Sequence, residues 1–297
     1  MTRSPSLARR LFERIEPIHA LTYFAPEALD AFTAAGYRGF WMGYFAGRAA
    51  PLGEVSADVV AAAFYNFAAD HVGRALPAAW TIAAPGVALA TREASAVAAL
   101  NRCGVADSEA VRIAGGLLTK AAHAADGGGR PLFAANRALP WPQEPVAALW
   151  HATTLLREQR GDAHVAVLVA EGVGGRECNV LHALADRVPR DFIMLSRKYD
   201  EREWAACTEA LRARGLVDDD GALTPEGTAF KVHLEDRTDA LALPVLDALS
   251  DDEVERLFAT LTPLTRAVVA AGDIPAATPM GLRREDLDDD SAHLGAR

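Results

Sequence analysis

Hydrophobic residues recur at helical rather than strand spacing along most of the chain. Trp204, Cys207 and Leu211, for example, fall on one face of a helix. Gly215 follows at the position where a glycine commonly ends a helix. The pattern therefore predicts a mainly α-helical protein.

Polar residues mark where several of these helices begin. Ser56, Asp200 and Ser250 stand at predicted N-caps, and the last two have a glutamate three residues later, as in a capping box. The triplets Gly-Leu-Val and Ala-Leu-Thr flank an acidic turn at 218–221, just before a Leu-Thr-Pro-Glu-Gly helix start at 223–227. These two short triplets predict a small β-wing.

The chain contains an internal echo, by which we mean segments of the first half that are similar in sequence to segments of the second half. The segment that begins at Glu16 resembles the segment that begins at Glu144, and four further similarities follow in the same order. We interpret them as a tandem duplication, in which residues 1–143 and 144–280 form an intramolecular pseudo-dimer. Shared Ala-rich composition is the alternative. The acidic residues in 281–297 predict a solvated, disordered tail.

The order of elements in the second half resembles a known family. Between residues 161 and 264, helices, the acidic wing turn, Leu-Thr-Pro-Glu-Gly and a long helix follow one another as in MarR-type winged-helix regulators. The first half matches only through the echo, as a degenerate winged-helix-like lobe. The resemblance implies winged-helix units in tandem, a recognition helix after Asp200, and a ligand held between the dimerisation and winged-helix parts. It also implies a monomeric pseudo-dimer or a homodimer.

The charge pattern opposes DNA binding. The formal net charge is -10, whereas each phosphate contact needs a cation. The candidate DNA-binding residues are Arg190, Arg197, Lys198 and Arg202. Asp191, Asp200, Glu201 and Glu203 oppose them in the same stretch, and three aspartates occupy the wing turn. We therefore expect DNA binding to be weakened or lost. A functional, ligand-responsive DNA-binding regulator is the alternative.

The first half contains a dense aromatic cluster with two arginines. Such a cluster is typical of a pocket for a small apolar or aromatic ligand, and the arginines suit a carboxylate or phosphate on it. The candidate ligand-binding residues are Tyr37, Trp41, Tyr44, Phe45, Arg48, Phe64, Tyr65, Phe67, His71 and Arg74. A helix pair that simply packs its rings into the core is the competing interpretation.

An enzyme that uses pocket histidines and arginines is a further alternative. His151, His164 and His182 lie in predicted central helices, but their spacing does not show that they converge. The sequence has no P-loop, no Gly-x-Ser-x-Gly and no His-Glu-x-x-His motif. Three scattered cysteines argue against a disulfide or zinc framework and, with no signal peptide or membrane span, predict a cytoplasmic protein. We assign it no metal and no cofactor; histidines that converge on a metal or a haem are the alternative.

Overall fold

The computed structural model of the protein describes residues 3–275 and 284–294. Within these residues the chain is mainly α-helical, which confirms the predicted secondary-structure class. The β-wing is smaller than expected. Its two sides meet in one isolated antiparallel bridge between Val217 and Leu223, and the described residues form no longer strand.

Within the described residues three 3₁₀ segments occur beside the α-helices, at Ala50–Leu52, Leu243–Ala248 and Glu285–Asp288. The first nine helices are α1 (Ser6–Phe24), α2 (Pro26–Ala34), α3 (Gly39–Ala49), α4 (Ala57–Ala63), α5 (Ala69–Ala75), α6 (Ala78–Ile82), α7 (Pro85–Arg102), α8 (Glu109–Ala124) and α9 (Pro131–Arg137). The remaining helices are α10 (Pro145–Ala170), α11 (Gly175–Leu184), α12 (Arg190–Arg197), α13 (Glu201–Ala213), α14 (Pro225–Ala242) and α15 (Asp251–Ala270).

The predicted caps start the helices where the sequence places them. The side chains of Ser56, Asp200 and Ser250 each accept a hydrogen bond from the backbone three residues on. The Ser250 capping box is complete, because the Glu253 carboxylate also accepts from the Ser250 N–H at 2.8 Å. The Asp200 box is incomplete. Its glutamate instead forms an ion pair with Arg176.

The long helix α10 lies at the centre of the molecule. It packs against α1, α7, α8, α9 and α14, and the central core includes Trp150 from α10, Leu21 from α1 and Phe258 from α15. The segment that begins at Glu16 covers the end of α1 and most of α2, whereas the segment that begins at Glu144 lies at the start of α10. Helices α1 and α10 contact each other. The tandem pseudo-dimer itself stays a prediction.

Two smaller cores flank the centre. One belongs to the aromatic lobe, which we define as α3–α6. There the Phe32 ring of α2 covers Gly47, where a Cβ would lie 2.7 Å from the ring. The other belongs to the wing lobe, defined as α11–α13 with the turn at 218–221. In this lobe α12 and α13 are joined by three residues, beginning with Lys198 in the left-handed region.

The acidic C-terminal segment is not solvated as expected where the structure describes it. In residues 284–294, Leu287 and Ala292 are buried. Arg10 of α1 donates to the Ala292 carbonyl at 2.8 Å, and Glu255 of α15 accepts from the Ala292 N–H at 2.8 Å. The segment therefore packs on α1 and α15. The predicted tail residues 281–283 and 295–297 lie outside the described residues.

Candidate functional site

A cavity of about 160 Å³ lies where the aromatic lobe, α10 and the wing lobe meet. Its wall combines aromatic rings with ionisable groups, a combination typical of a site for a small polar ligand. The lining side chains include Phe12, Tyr44, Arg48, Phe64, Tyr65, Asn66, Phe67, Arg157, Arg160, Asp162, His164, Cys178, Asn179, His182, Arg197 and Glu235.

The two lobes touch along one side of the cavity. The Tyr65 hydroxyl donates to the Val173 carbonyl at 2.8 Å, and the Asn179 amide donates to the Asn66 carbonyl at 2.9 Å. At Gly175 an added Cβ would lie 1.9 Å from the Tyr65 carbonyl oxygen, so only glycine permits this approach. Backbone contacts therefore fix how far apart the lobes stand.

Arg48 lines the cavity from the aromatic lobe and is fully paired. Its Nε and Nη2 donate to the Glu158 carboxylate at 3.1 and 3.2 Å. Arg157 donates to Glu158 and, at 3.0 Å, to the buried Glu16. Burial raises the pKa of Glu158, but the guanidinium groups of Arg157 and Arg48 outweigh burial and hold this pKa well below its ordinary value. Glu158 is thus the shared counter-charge of two buried arginines.

Arg160, the second arginine of α10, is also paired. It donates to Asp239 at 2.7 Å and to Glu235 at 3.3 Å, both on α14, and its guanidinium lies over the Phe12 ring. This pairing ties α14 to α10 on the far side of the cavity. Arg160 therefore offers little uncompensated charge to a ligand.

Arg197, at the end of α12, differs from these three arginines. Only 8% of it is exposed, and its guanidinium lies over the Phe67 ring at 4.1 Å. Within the described part of the chain no carboxylate lies within ion-pair distance, and the buried Nε has no hydrogen-bond partner. Burial lowers its pKa to about 10, so the group remains charged at neutral pH. The wing-lobe wall thus presents an uncompensated positive charge.

A carboxyl and two histidines complete the polar wall. Burial raises the pKa of Asp162 to about 7, and its carboxylate accepts from the Phe133 N–H at 2.9 Å. Burial lowers the pKa of His164 to about 4 and that of His182 to about 3, so both rings are neutral at pH 7. The cavity therefore has one carboxyl group that titrates near neutral pH and two histidines that titrate well below it.

The three histidines named from the sequence do not converge. His164 and His182 line the cavity, whereas His151 lies edge-on to Trp141, outside it. His164 hydrogen bonds to Thr238 at 2.9 Å. Among the described residues no group of histidine, cysteine and carboxylate side chains is arranged to hold a metal ion.

Half of the predicted ligand-binding residues line the cavity. They are Tyr44, Arg48, Phe64, Tyr65 and Phe67. The Phe67 ring packs tilted against Tyr44 and Phe64, with centroids 5.7 and 6.3 Å apart. This part of the cluster faces α10 and the wing lobe.

The other half lies elsewhere. Tyr37, Trp41, Phe45 and His71 pack inside the aromatic lobe, where Trp41 and His71 meet edge-on at 4.7 Å. Arg74 is exposed and pairs with Asp70 on its own helix. For these five positions the structure agrees with the competing interpretation, core packing, or with a solvated surface.

The four predicted DNA-binding residues do not form one surface. Arg197 is buried in the cavity wall on Phe67, not exposed at the surface as contact with a DNA phosphate requires. Arg190 forms an ion pair with Glu201 at 2.5 Å and lies over Trp204. Lys198 and Arg202 are exposed.

Sequence reasoning missed the contribution of α10. Arg157, Glu158, Arg160 and Asp162 interrupt the apolar pattern within one turn and a half of a long helix, and all four face other helices. Such a run of charges in the middle of a central helix is the signal that was available. Charged residues are almost never buried unless paired.

The comparisons with known proteins give a family. The sequence matches a helix-turn-helix family over residues 8–275. No curated protein and no solved structure matches significantly. Among the described residues, no helix has the length and apolar character to cross a bilayer. The chain belongs to this helix-turn-helix family.

Proposed function

From this family membership and the charged cavity, we propose that the protein binds a small organic anion with an apolar or aromatic body. Its ancestry is that of a transcription regulator whose DNA binding is weakened or lost. The observation that carries the proposal is Arg197, a buried guanidinium without a counter-charge inside an aromatic wall. Removing a charge from water without pairing it is costly, and a bound carboxylate would supply the missing partner.

The size of the cavity limits the ligand. An engineered apolar cavity of about 150 Å³ holds one benzene molecule, so 160 Å³ suits roughly one ring with a carboxylate. The rings of Tyr44, Phe64 and Phe67 offer the apolar surface, and the guanidinium of Arg197 offers donors. Benzoate is therefore a suitable probe of the site.

The test is a calorimetric titration with benzoate and with its neutral analogue benzamide. We expect benzoate to bind at least tenfold more tightly, because a hydrogen bond to a charged group contributes about 1.5–3 kcal/mol. Arg197→Met should abolish the preference, whereas the exposed control Arg202→Met should keep it. Equal binding of the two probes, or an unchanged preference in Arg197→Met, would overturn the proposal.

A functional DNA-binding regulator is the second candidate, favoured by exposed Lys198 and Arg202 at the α12–α13 corner. Asp200 and Glu201 are exposed next to them in the sequence, and the aspartates of the wing turn are exposed as well. We expect no binding of a labelled mixed-sequence DNA duplex whose affinity falls steeply between about 50 and 200 mM salt. A loss of affinity of several orders of magnitude over that range would instead support the regulator.

We also propose that the two halves form a MarR-like tandem pseudo-dimer. Support comes from α1 and α10, which carry the echoing Glu-Pro segments and pack against each other. A pseudo-dimer has both halves of the interface in one chain, so sedimentation at micromolar concentration should give a monomer. A homodimer would show that another interface is used.

A further inference from the structure

An apolar groove opens next to the cavity, between the end of α1, α2 and the start of α3. Its volume is about 290 Å³, and no charged side chain lines it. Leu29 and Phe40 form its rim and are 43% and 38% exposed. Tyr23, Phe32 and Tyr44 lie deeper.

Tyr44 lines both the groove and the charged cavity. Phe40, Tyr44 and Arg48 follow one another at four-residue intervals on α3, so they share one face of the helix over about 12 Å at 1.5 Å per residue. The Phe40 and Tyr44 rings stack with centroids 5.9 Å apart. The Tyr44 hydroxyl accepts one long hydrogen bond, of 3.4 Å, from Arg48. This face therefore leads from an exposed apolar groove into the charged cavity, which it reaches at the paired guanidinium of Arg48, and Arg197 lines the same cavity from the wing lobe.

We propose that the ligand is an amphipathic carboxylate whose alkyl chain runs along this face into the groove. The inference rests on the proposed function, because its carboxylate binds at Arg197. Tyr44 separates the two compartments and is the side chain that the alkyl chain displaces. Its hydroxyl makes one long hydrogen bond, and its ring packs against Tyr23 and Phe67. All charged lining residues lie on the cavity side of Tyr44.

The volumes support this assignment. Ligand sites usually measure about 300–1,000 Å³, and the cavity alone is smaller than that range at about 160 Å³. The groove adds about 290 Å³. A compact aromatic acid would leave the groove unused, whereas an acid with an alkyl chain fills both compartments.

The experiment is a calorimetric series of butanoate, hexanoate, octanoate and decanoate, with methyl octanoate as the uncharged member. Affinity should rise by up to about fourfold per added methylene, which corresponds to about 0.8 kcal/mol, until the groove is full. Methyl octanoate should bind at least tenfold more weakly than octanoate. Leu29→Ser and Phe40→Ser should flatten the dependence of affinity on chain length.

The matched control is Val169→Ser, on the exposed end of α10, which should keep the wild-type dependence. Unchanged urea midpoints in the three variants show that they are folded. Short carboxylates that bind with no gain from chain length would overturn the groove assignment alone. The groove assignment would also be overturned if both groove variants kept the wild-type dependence of affinity on chain length. If neither benzoate nor any member of the series binds, the proposed function itself fails.

Discussion

Arg48 and Arg197 occupy equivalent-looking places on opposite walls of the cavity, yet only one is neutralised. Each guanidinium lies over a phenylalanine ring, at 4.3 Å for Arg48 on Phe64 and 4.1 Å for Arg197 on Phe67. Arg48 has both oxygens of Glu158, whereas Arg197 has no carboxylate among the described residues. Burial alone lowers both pKa values. Glu158 reverses the direction for Arg48, and Arg197 keeps the lowered value of about 10.

The difference separates a charge that stabilises the fold from a charge that is free for a ligand. In the aromatic lobe the arginine is part of a network that links α3 to α10 and α1 through Glu158 and Glu16. In the wing lobe the arginine contributes only its ring contact. Substitutions on the two walls should therefore change stability in opposite directions.

The largest effect is expected at Glu158. Glu158→Gln leaves Arg48 and Arg157 in the interior without their shared carboxylate, and breaking a buried pair in this way costs about 3–5 kcal/mol. Urea unfolding at pH 7 measures the loss. The control Asp70→Asn removes the partner of Arg74 in an exposed pair and should cost less than about 1 kcal/mol. Equal losses in the two variants would show that the buried network has no special role.

The next effect is a pH dependence at Asp162. Because burial raises its pKa from 3.8 to about 7, the stability that this group contributes is full below about pH 4. It is lost as the pH rises to about 7. Asp162→Asn removes that loss. The free energy of unfolding of the variant, relative to that of the wild type, should therefore rise by about 2–3 kcal/mol from pH 5 to pH 8, at 1.36 kcal/mol per pH unit.

Urea unfolding of both proteins at several pH values measures this difference. Histidine residues with lowered pKa values, such as His164, destabilise both proteins alike as the pH falls below 6.5, so they cancel in the comparison. Parallel stability profiles would show that the Asp162 carboxyl titrates in its ordinary range.

Local features of the fold were predictable from the sequence because they depend on neighbouring residues. The cap at Ser250 and the glycine that ends α13 need only a few positions to form. The acidic turn at 218–221 likewise forms from its own residues, although its flanking triplets pair in a single bridge. Segments of three residues are too short to form a longer ladder of β-sheet hydrogen bonds.

The site was only half predictable, because the orientation of each helix is decided by distant residues. On α3, spacing alone shows that Tyr44 and Arg48 share a face and that Trp41 and Phe45 share another. It does not show which face meets α10. The same limit explains Arg197: its position at the end of α12 suggests a surface, but the aromatic lobe covers it through the contact with Phe67. Burial by a segment about 130 residues away leaves no local signal.

A smaller loss of stability is expected at the contact between the two walls. Gly175→Ala places a methyl group 1.9 Å from the Tyr65 carbonyl oxygen, and such overpacking costs about 1–3 kcal/mol. Urea unfolding and benzoate titration should both show weakening, since the lobes must move apart. Gly73→Ala is the control. Its Cβ meets open space on a helix, so it should gain up to about 1 kcal/mol.

The smallest effect should have the opposite sign and decides the comparison of the two arginines. Arg197→Met keeps an extended side chain on Phe67 but removes the uncompensated charge, so it should raise the free energy of unfolding by about 1 kcal/mol. Benzoate at a concentration that saturates the wild type should stabilise it by mass action much more than the variant, which reverses their order. Urea titrations with and without benzoate measure both quantities. If the variant were less stable than the wild type in the absence of ligand, Arg197 would, like Arg48, be a charge that stabilises the fold.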